Sequence, residues 1–282
     1  MYFSTVSGKA VGPIGQGTWF LGEQSSTFQA EQNALRAGIE VGMTLIDSAE
    51  MYGDGAAESL VGASISGLQR EDLFLVSKVY PYNAGRRNIF KSCEASLRRM
   101  GTEYLDLYLL HWRGSIPLAE TVACMEELKQ KGRIRAWGVS NLDTADMREL
   151  LSVKDGSHCA TDQVLYHLGS RGIEFDLAPL LRKHNIPVMA YCPLAQAGRL
   201  RRGLLESPAV RDLAAAHNAR SAQILLAFLL AQPGVIPVPR TGKAAHTLEN
   251  AGAAQIKLSE TELSALNQAF PSPTRKLPLD IQ

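Results

Sequence analysis

The sequence predicts an α/β fold, a (β/α)8 barrel made by a single domain over residues 1–282. Three observations carry this. Short apolar runs rich in β-branched residues begin near Ile14, Thr44, Leu73, Tyr104, Ile134, Ala160, Pro187 and Val235, and most lie about thirty residues apart, the length of one strand–helix–strand unit. Between them apolar residues recur at spacings of three and four, as helices facing a sheet require. The chain is long for one ordinary domain, yet closed barrels of this kind use about 250 residues as one unit.

Taken in order, the start from Met1 to Ala10 has no long apolar core after a basic stretch, and we expect a short hairpin there ahead of the barrel. The first strand carries Gly12-Pro13-Ile14-Gly15-Gln16-Gly17 and continues to Thr18-Trp19-Phe20. The third glycine of a G-x-G-x-x-G phosphate loop is missing, which counts against an open doubly wound sheet and leaves the glycines to a tight strand–loop junction. The second run, Thr44-Leu45-Ile46, delivers Asp47 and Tyr52; the third, Leu73 to Ser77, delivers Lys78; the fourth, Tyr104 to Leu110, delivers His111. Helical spacing follows at Leu118, Val122, Met125 and Leu128, and again at Ala145, Met147, Leu150 and Leu151. Right-handed connections of this type force a parallel sheet, and its repeats permit closure. The widest gap holds Pro193 to Arg211, expected as a Gly-, Arg- and Pro-rich loop followed by a short helix and overhanging the C-terminal face of the strands, where such barrels place ligands. Ser259-Glu260-Thr261-Glu262 has the form of a capped helix start. Beyond Phe270 a Pro-rich tail is expected to drape without regular structure.

Composition narrows the function. A hydrophobic fraction of 45% and a charged fraction of 20% suit a globular protein with a large core. The net charge of +1 comes from scattered residues and offers no basic stripe to a nucleic-acid backbone. The one cluster, Arg199, Arg201 and Arg202, reads as a solvated loop. Cys93, Cys124, Cys159 and Cys192 form no C-x-x-C pair and read as free thiols of a reducing compartment. No apolar run approaches the roughly eighteen residues that span a bilayer. We expect a cytoplasmic protein with no nucleic-acid or membrane partner. His158, His167, His184, His217 and His246 show no H-E-x-x-H spacing, so no metal site is expected.

An acid, a phenol, an ammonium and an imidazole at one end of a parallel sheet make a proton-transfer site. Lys78, following an apolar strand, needs water or an anion, and Asp47 on the neighbouring strand supplies the anion; by themselves the two also fit a structural ion pair. Tyr52 adds chemistry. Lowering its pKa by ~2 units takes ~3 kcal/mol, which an ammonium ~3 Å away at an effective dielectric of ~20 supplies before desolvation is counted. Such a phenol donates a proton to a developing alkoxide near neutral pH. His111 beside it suits polarisation of a carbonyl oxygen.

The strings Asp47-Ser48-Ala49-Glu50-Met51-Tyr52-Gly53, Val76-Ser77-Lys78, Asp106-Leu107-Tyr108-Leu109-Leu110-His111-Trp112 and Gly138-Val139-Ser140-Asn141 together resemble the aldo-keto reductase family, in the family's order. The resemblance runs from Gly15-Gln16-Gly17-Thr18-Trp19 to Ile236-Pro237-Val238-Pro239-Arg240-Thr241 and matches bacterial members with a short C-terminal tail. It implies a (β/α)8 barrel that binds NADPH extended, without a Rossmann unit. It also implies a catalytic tetrad of Asp47, Tyr52, Lys78 and His111 with Tyr52 as general acid. Ser140, Asn141 and Gln163 correspond to the groups that hold the carboxamide, Tyr191 to the ring that stacks on the nicotinamide, and Leu194 and Gln196 to the loop over the pyrophosphate. Arg240, Thr241, His246, Glu249 and Asn250 fall where the family grips the adenosine 2′-phosphate and adenine. Many relatives carry lysine at Arg240 and arginine at His246, but a fork-shaped guanidinium still favours NADPH over NADH. Trp19, Tyr80 and Trp112 are expected at the mouth of the substrate pocket. Small aldehydes and α-dicarbonyls such as methylglyoxal are the expected substrates, and a monomer is the expected state. Two other readings compete: a Lys78 Schiff-base aldolase, and an NADPH-binding redox sensor or regulatory subunit.

Overall fold

The computed structural model describes residues 4–6, 8–196 and 198–281. A hairpin of β1 (Ser4–Val6) and β2 (Lys9–Val11) precedes the barrel. The barrel strands are β3 (Gln16–Gly17), β4 (Leu45–Asp47), β5 (Phe74–Val79), β6 (Leu105–Leu110), β7 (Ile134–Ser140), β8 (Asp162–Leu165), β9 (Val188–Tyr191) and β10 (Val235–Pro237). Each pairs in parallel with its sequence neighbour. Closure comes where the first and last strands meet: Gly15 N–H donates to Pro237 O at 2.9 Å, Gly17 N–H to Pro239 O at 3.0 Å, and Gly17 bridges Arg240. A Cβ on Gly15 would sit 2.6 Å from Leu45 Cδ2 and 2.9 Å from Val238 Cγ1, so the glycine serves this seam and not a phosphate. All eight strands fall on the apolar runs read from the sequence.

Those runs were legible because parallel strands are covered on both faces; β5 and β6 are buried at every position. Alternation splits them. Leu45, Phe74, Val76, Leu107, Leu109, Met189 and Ile236 fill the barrel interior, and Val6 and Val11 of the hairpin plug its floor. Lys9 fastens that plug, donating to Leu73 O and to Asp106, each at 2.9 Å. The opposite faces pack against the outer helices.

The helices are α1 (Ser25–Glu40), α2 (Ala56–Ile65), α3 (Ile89–Met100), α4 (Leu118–Gln130), α5 (Thr144–Ser152), α6 (Leu177–Lys183), α7 (Arg199–Glu206), α8 (Pro208–Ala216), α9 (Ser221–Leu230), α10 (Ala244–Gly252) and α11 (Glu260–Ala269). The β9–α9 connection departs from expectation. The arginine cluster stands on α7 and not in a loop, because Leu204 gives that helix a buried contact against Gly169. Ser259 and Glu262 form the expected capping box. Among the described residues past Phe270 no regular element forms. The tail is instead tied down: Lys276 pairs with Asp143 and with Asp176, and Arg171 donates to Phe270 O and to Ser272. No single helix among the described residues is long and apolar enough to cross a membrane.

Candidate active site

Asp47, Ser140 and Tyr191 are the last residues of their strands, Lys78 is the penultimate residue of β5, Gln163 lies in β8, and His111 directly follows β6. Parallel strands in register therefore deliver these side chains to one end of the barrel. Tyr52 comes from the turn Tyr52–Gly55 after β4, where Gly53, Asp54 and Gly55 take φ of 55°, 54° and 90°. That left-handed run folds the chain back over the barrel mouth.

Lys78 is fully buried and does not reach solvent. Its ammonium donates to the Asp47 carboxylate at 2.9 Å, to Ser48 O at 2.8 Å and to Tyr52 Oη at 3.0 Å, which engages all three of its donors. Because the lysine donates to the phenol oxygen, the Tyr52 proton points elsewhere and is free for a ligand. Gln163 Nε2 donates to Asp47 Oδ1 at 2.8 Å, which leaves the Gln163 side-chain Oε1 to accept.

The expected depression of the Tyr52 pKa is not found. Burial pushes the phenol well above its usual range, and the Asp47 carboxylate and the Cys192 thiol act in the same direction. The physical reason is that Asp47 cancels the charge of Lys78, so a phenolate would face a neutral pair in a dry site. Burial also holds Lys78 below the usual lysine range, with Asp47 opposing. His111 is pulled down to about 2 by burial and then by the Lys78 charge, so its ring is neutral. Its Nδ1 is sealed without a partner, leaving Nε2 to meet a ligand.

A cavity of about 240 Å³ opens beside Tyr52. Of the residues expected at the site, Trp19, Asp47, Tyr52, Tyr191, Leu194, Gln196 and Arg240 line it. Tyr80 and Trp112 stand beyond His111: Trp112 lies 4.9 Å from the imidazole and Tyr80 5.8 Å from Trp112, ring to ring, and Trp19 lies 6.1 Å from Tyr52. Ser140 donates to Gln163 O at 2.8 Å, Asn141 Nδ2 lies 3.2 Å from both His111 O and Ser140 Oγ, and Tyr191 Oη donates to Asn141 Oδ1 at 2.8 Å. Arg240 Nε donates to Trp19 O at 2.8 Å, which aims the guanidinium of this exposed residue. Thr241 follows it, and exposed His246, half-buried Glu249 and buried Asn250 stand on α10, outside the lining of that cavity.

Phe20, Cys192 and Arg201 also line the cavity and were not singled out from the sequence as site residues. Phe20 stacks on Trp19 at 4.6 Å with a φ of 62°. Adjacency to Trp19 and to Tyr191 was the available signal for Phe20 and Cys192; for Arg201 it was the arginine cluster within residues 193–211, the segment expected over the C-terminal face, which reads as solvated until α7 brings it inward.

The aldo/keto reductase family model matches residues 13–270. The chain belongs to the aldo/keto reductase family. This reductase is 56% identical over 268 residues to the methylglyoxal reductase YeaE of Escherichia coli strain K12, covering 95% of this chain and 94% of that one. It is 32% identical over 235 residues to the glyoxal reductase of Bacillus subtilis strain 168, covering 83% and 81%. Among solved structures, an aldo/keto reductase from Klebsiella pneumoniae in complex with NADP and acetate superposes with a TM-score of 0.97 at 53% identity, covering 99% of both chains. A second, in complex with NADPH, does so at 0.96 over the whole of both.

Proposed function

We propose that this reductase converts methylglyoxal and related small α-oxoaldehydes to hydroxycarbonyl products with NADPH, with Tyr52 as proton donor. The observation that carries the assignment is the Lys78 ammonium seated between Asp47 and Tyr52. It fixes the phenol oxygen and leaves its proton free, while burial keeps that proton in place until an alkoxide develops. Neutral His111 donates from Nε2 to the carbonyl oxygen and orients it.

The chain's residues fit the cofactor. Ser140, Asn141 and the side-chain Oε1 of Gln163 offer the donors and acceptors a carboxamide needs, the Tyr191 ring borders the cavity, and Arg240 presents a held guanidinium to a phosphate. When bound, the nicotinamide supplies the hydride. The substrate class is supported by the relatives, which include both a methylglyoxal and a glyoxal reductase. The tail is consistent with it: no described residue beyond Arg240 lines the cavity beside Tyr52. A Schiff base at Lys78 is disfavoured because the nitrogen is fully buried with every donor engaged. The free cysteines support a reducing cytoplasm, and the closed barrel supports a monomer, which sedimentation tests.

The test is NADPH oxidation against methylglyoxal, glyoxal, aldoses and keto acids, for the wild type and Tyr52→Phe. We expect turnover on the dicarbonyls and a loss in the variant of about a hundredfold or more in kcat with NADPH binding retained. Equal kcat in the variant removes Tyr52 from the role.

A further inference from the structure

Tyr52 and Lys78 lie on separate chain segments, the turn after β4 and the strand β5, and their bond inside the barrel has a counterpart outside it. Alternation along β5 turns Ser77 away from Lys78 toward the helices, where Ser77 Oγ donates to Glu58 Oε1 at 2.5 Å. Glu58 stands in the first turn of α2, the helix that the Tyr52 turn leads into, and is fully buried. Its other oxygen accepts from Arg99 Nε, in the last turn of α3, at 2.5 Å. Arg99 also lies directly under the Tyr52 turn: a Cβ on Gly55 would fall 2.4 Å from its Cδ and its Nε.

These contacts close a circuit. The Lys78–Tyr52 bond joins the two segments on the inner face, and the Ser77–Glu58 bond joins the same two segments on the outer face, with Arg99 holding the turn from below. A buried carboxylate needs such partners, but it did not need to choose the residue adjacent to the site lysine. We propose that Glu58 is a positioning residue for the proton donor, acting through Ser77 on Lys78 and through α2 and the Gly53–Gly55 turn on Tyr52. The proposal rests on the reading of Tyr52 as the donor. Glu58 is moreover the second carboxylate, after Asp47, whose charge favours the charged form of Lys78.

The test compares Ser77→Ala, Glu58→Gln and Tyr52→Phe in the full chain by kcat, carbonyl KM, NADPH affinity, the pH profile of kcat and thermal midpoint. Ser77→Ala cuts the inner-to-outer tie but keeps the Glu58–Arg99 pair and so is the safer variant for folding. We expect it to lower kcat about tenfold through misplacement of the donor, with NADPH affinity and the pH profile unmoved. Glu58→Gln is expected to lower kcat at least as far and also to move the alkaline limb of the kcat profile to lower pH, because a charge supporting the Lys78 ammonium is gone. A merely structural Glu58 would lower the thermal midpoint and leave kcat and the limb of the folded enzyme where they were, which overturns the proposal. If Tyr52→Phe abolishes turnover while the other two variants match wild type, only the Glu58 role falls. If Tyr52→Phe retains wild-type kcat, the donor assignment falls and takes this proposal with it.

Discussion

Replacing Asp162 by asparagine is expected to stabilise the protein near neutral pH. Asp162 opens β8, is fully buried, and neither carboxyl oxygen has a hydrogen-bond partner. Burial raises its pKa well above the usual carboxylate range; the Leu142 backbone opposes this, and the Asp143 and Asp146 carboxylates add to it. The folded state therefore holds a proton that the unfolded chain releases above about pH 4. By linkage the resulting penalty is absent below that pH, grows as pH rises, and levels off once pH passes the folded pKa. Each unit by which the folded pKa exceeds the unfolded value costs about 1.4 kcal/mol once pH lies above both. Asparagine removes the titration but leaves an unpaired amide in place of an unpaired acid, a nearly balanced exchange, so we expect the variant to gain that linkage penalty at pH 7 and nothing at pH values below the unfolded pKa. With an unfolding entropy near 0.6 kcal/mol per degree for 282 residues, that is a midpoint rise of about 2 °C for each such unit. Urea and thermal unfolding of both proteins from about pH 4.5 to 8 measure it. A variant no more stable than wild type at pH 7, or a gain that does not change with pH, refutes the reasoning.

Removing the Arg240 guanidinium by Arg240→Ala should weaken NADPH about ten- to a hundredfold, the worth of a charge-assisted phosphate contact, and weaken NADH far less. Equal losses in fluorescence titrations with the two nucleotides would reduce Arg240 to its bond with Trp19. His111 is neutral because its pKa is held down to about 2, so the kcat profile should be flat through the ordinary histidine range and His111→Gln should abolish no acid limb there. An acid limb near pH 6.5 in wild type that vanishes in that variant would show the imidazole titrating during turnover.

What the sequence disclosed and what it withheld separate along a physical line. Strands were legible because parallel strands buried on both faces read as unbroken apolar runs, and Asp47, Lys78 and His111 were legible because each interrupts such a run at its end. Their meeting follows from register alone, which the about-thirty-residue repeat already implies. The sign of the Tyr52 shift was not legible. Proximity of Lys78 at 3.0 Å is a pairwise property that a motif can convey; desolvation depends on everything that closes over the ring, here including Trp19 and the Asp47 charge opposite. The same holds for Glu58 and Asp162. Both are acids near the start of an element, a place where acids are ordinarily solvated, and nothing local marks the first as paired and the second as alone. Burial is set by the assembled barrel: Arg99 arrives at Glu58 from a helix 41 positions further on, whereas only the Leu142 backbone approaches Asp162, without completing a hydrogen bond to either oxygen. A fully buried carboxylate with two partners beside the site lysine and one with none thus carry opposite expectations on mutation, loss of turnover for Glu58→Gln and gain of stability for Asp162→Asn. Similar results for both would mean that burial alone, without regard to partners, governs these acids.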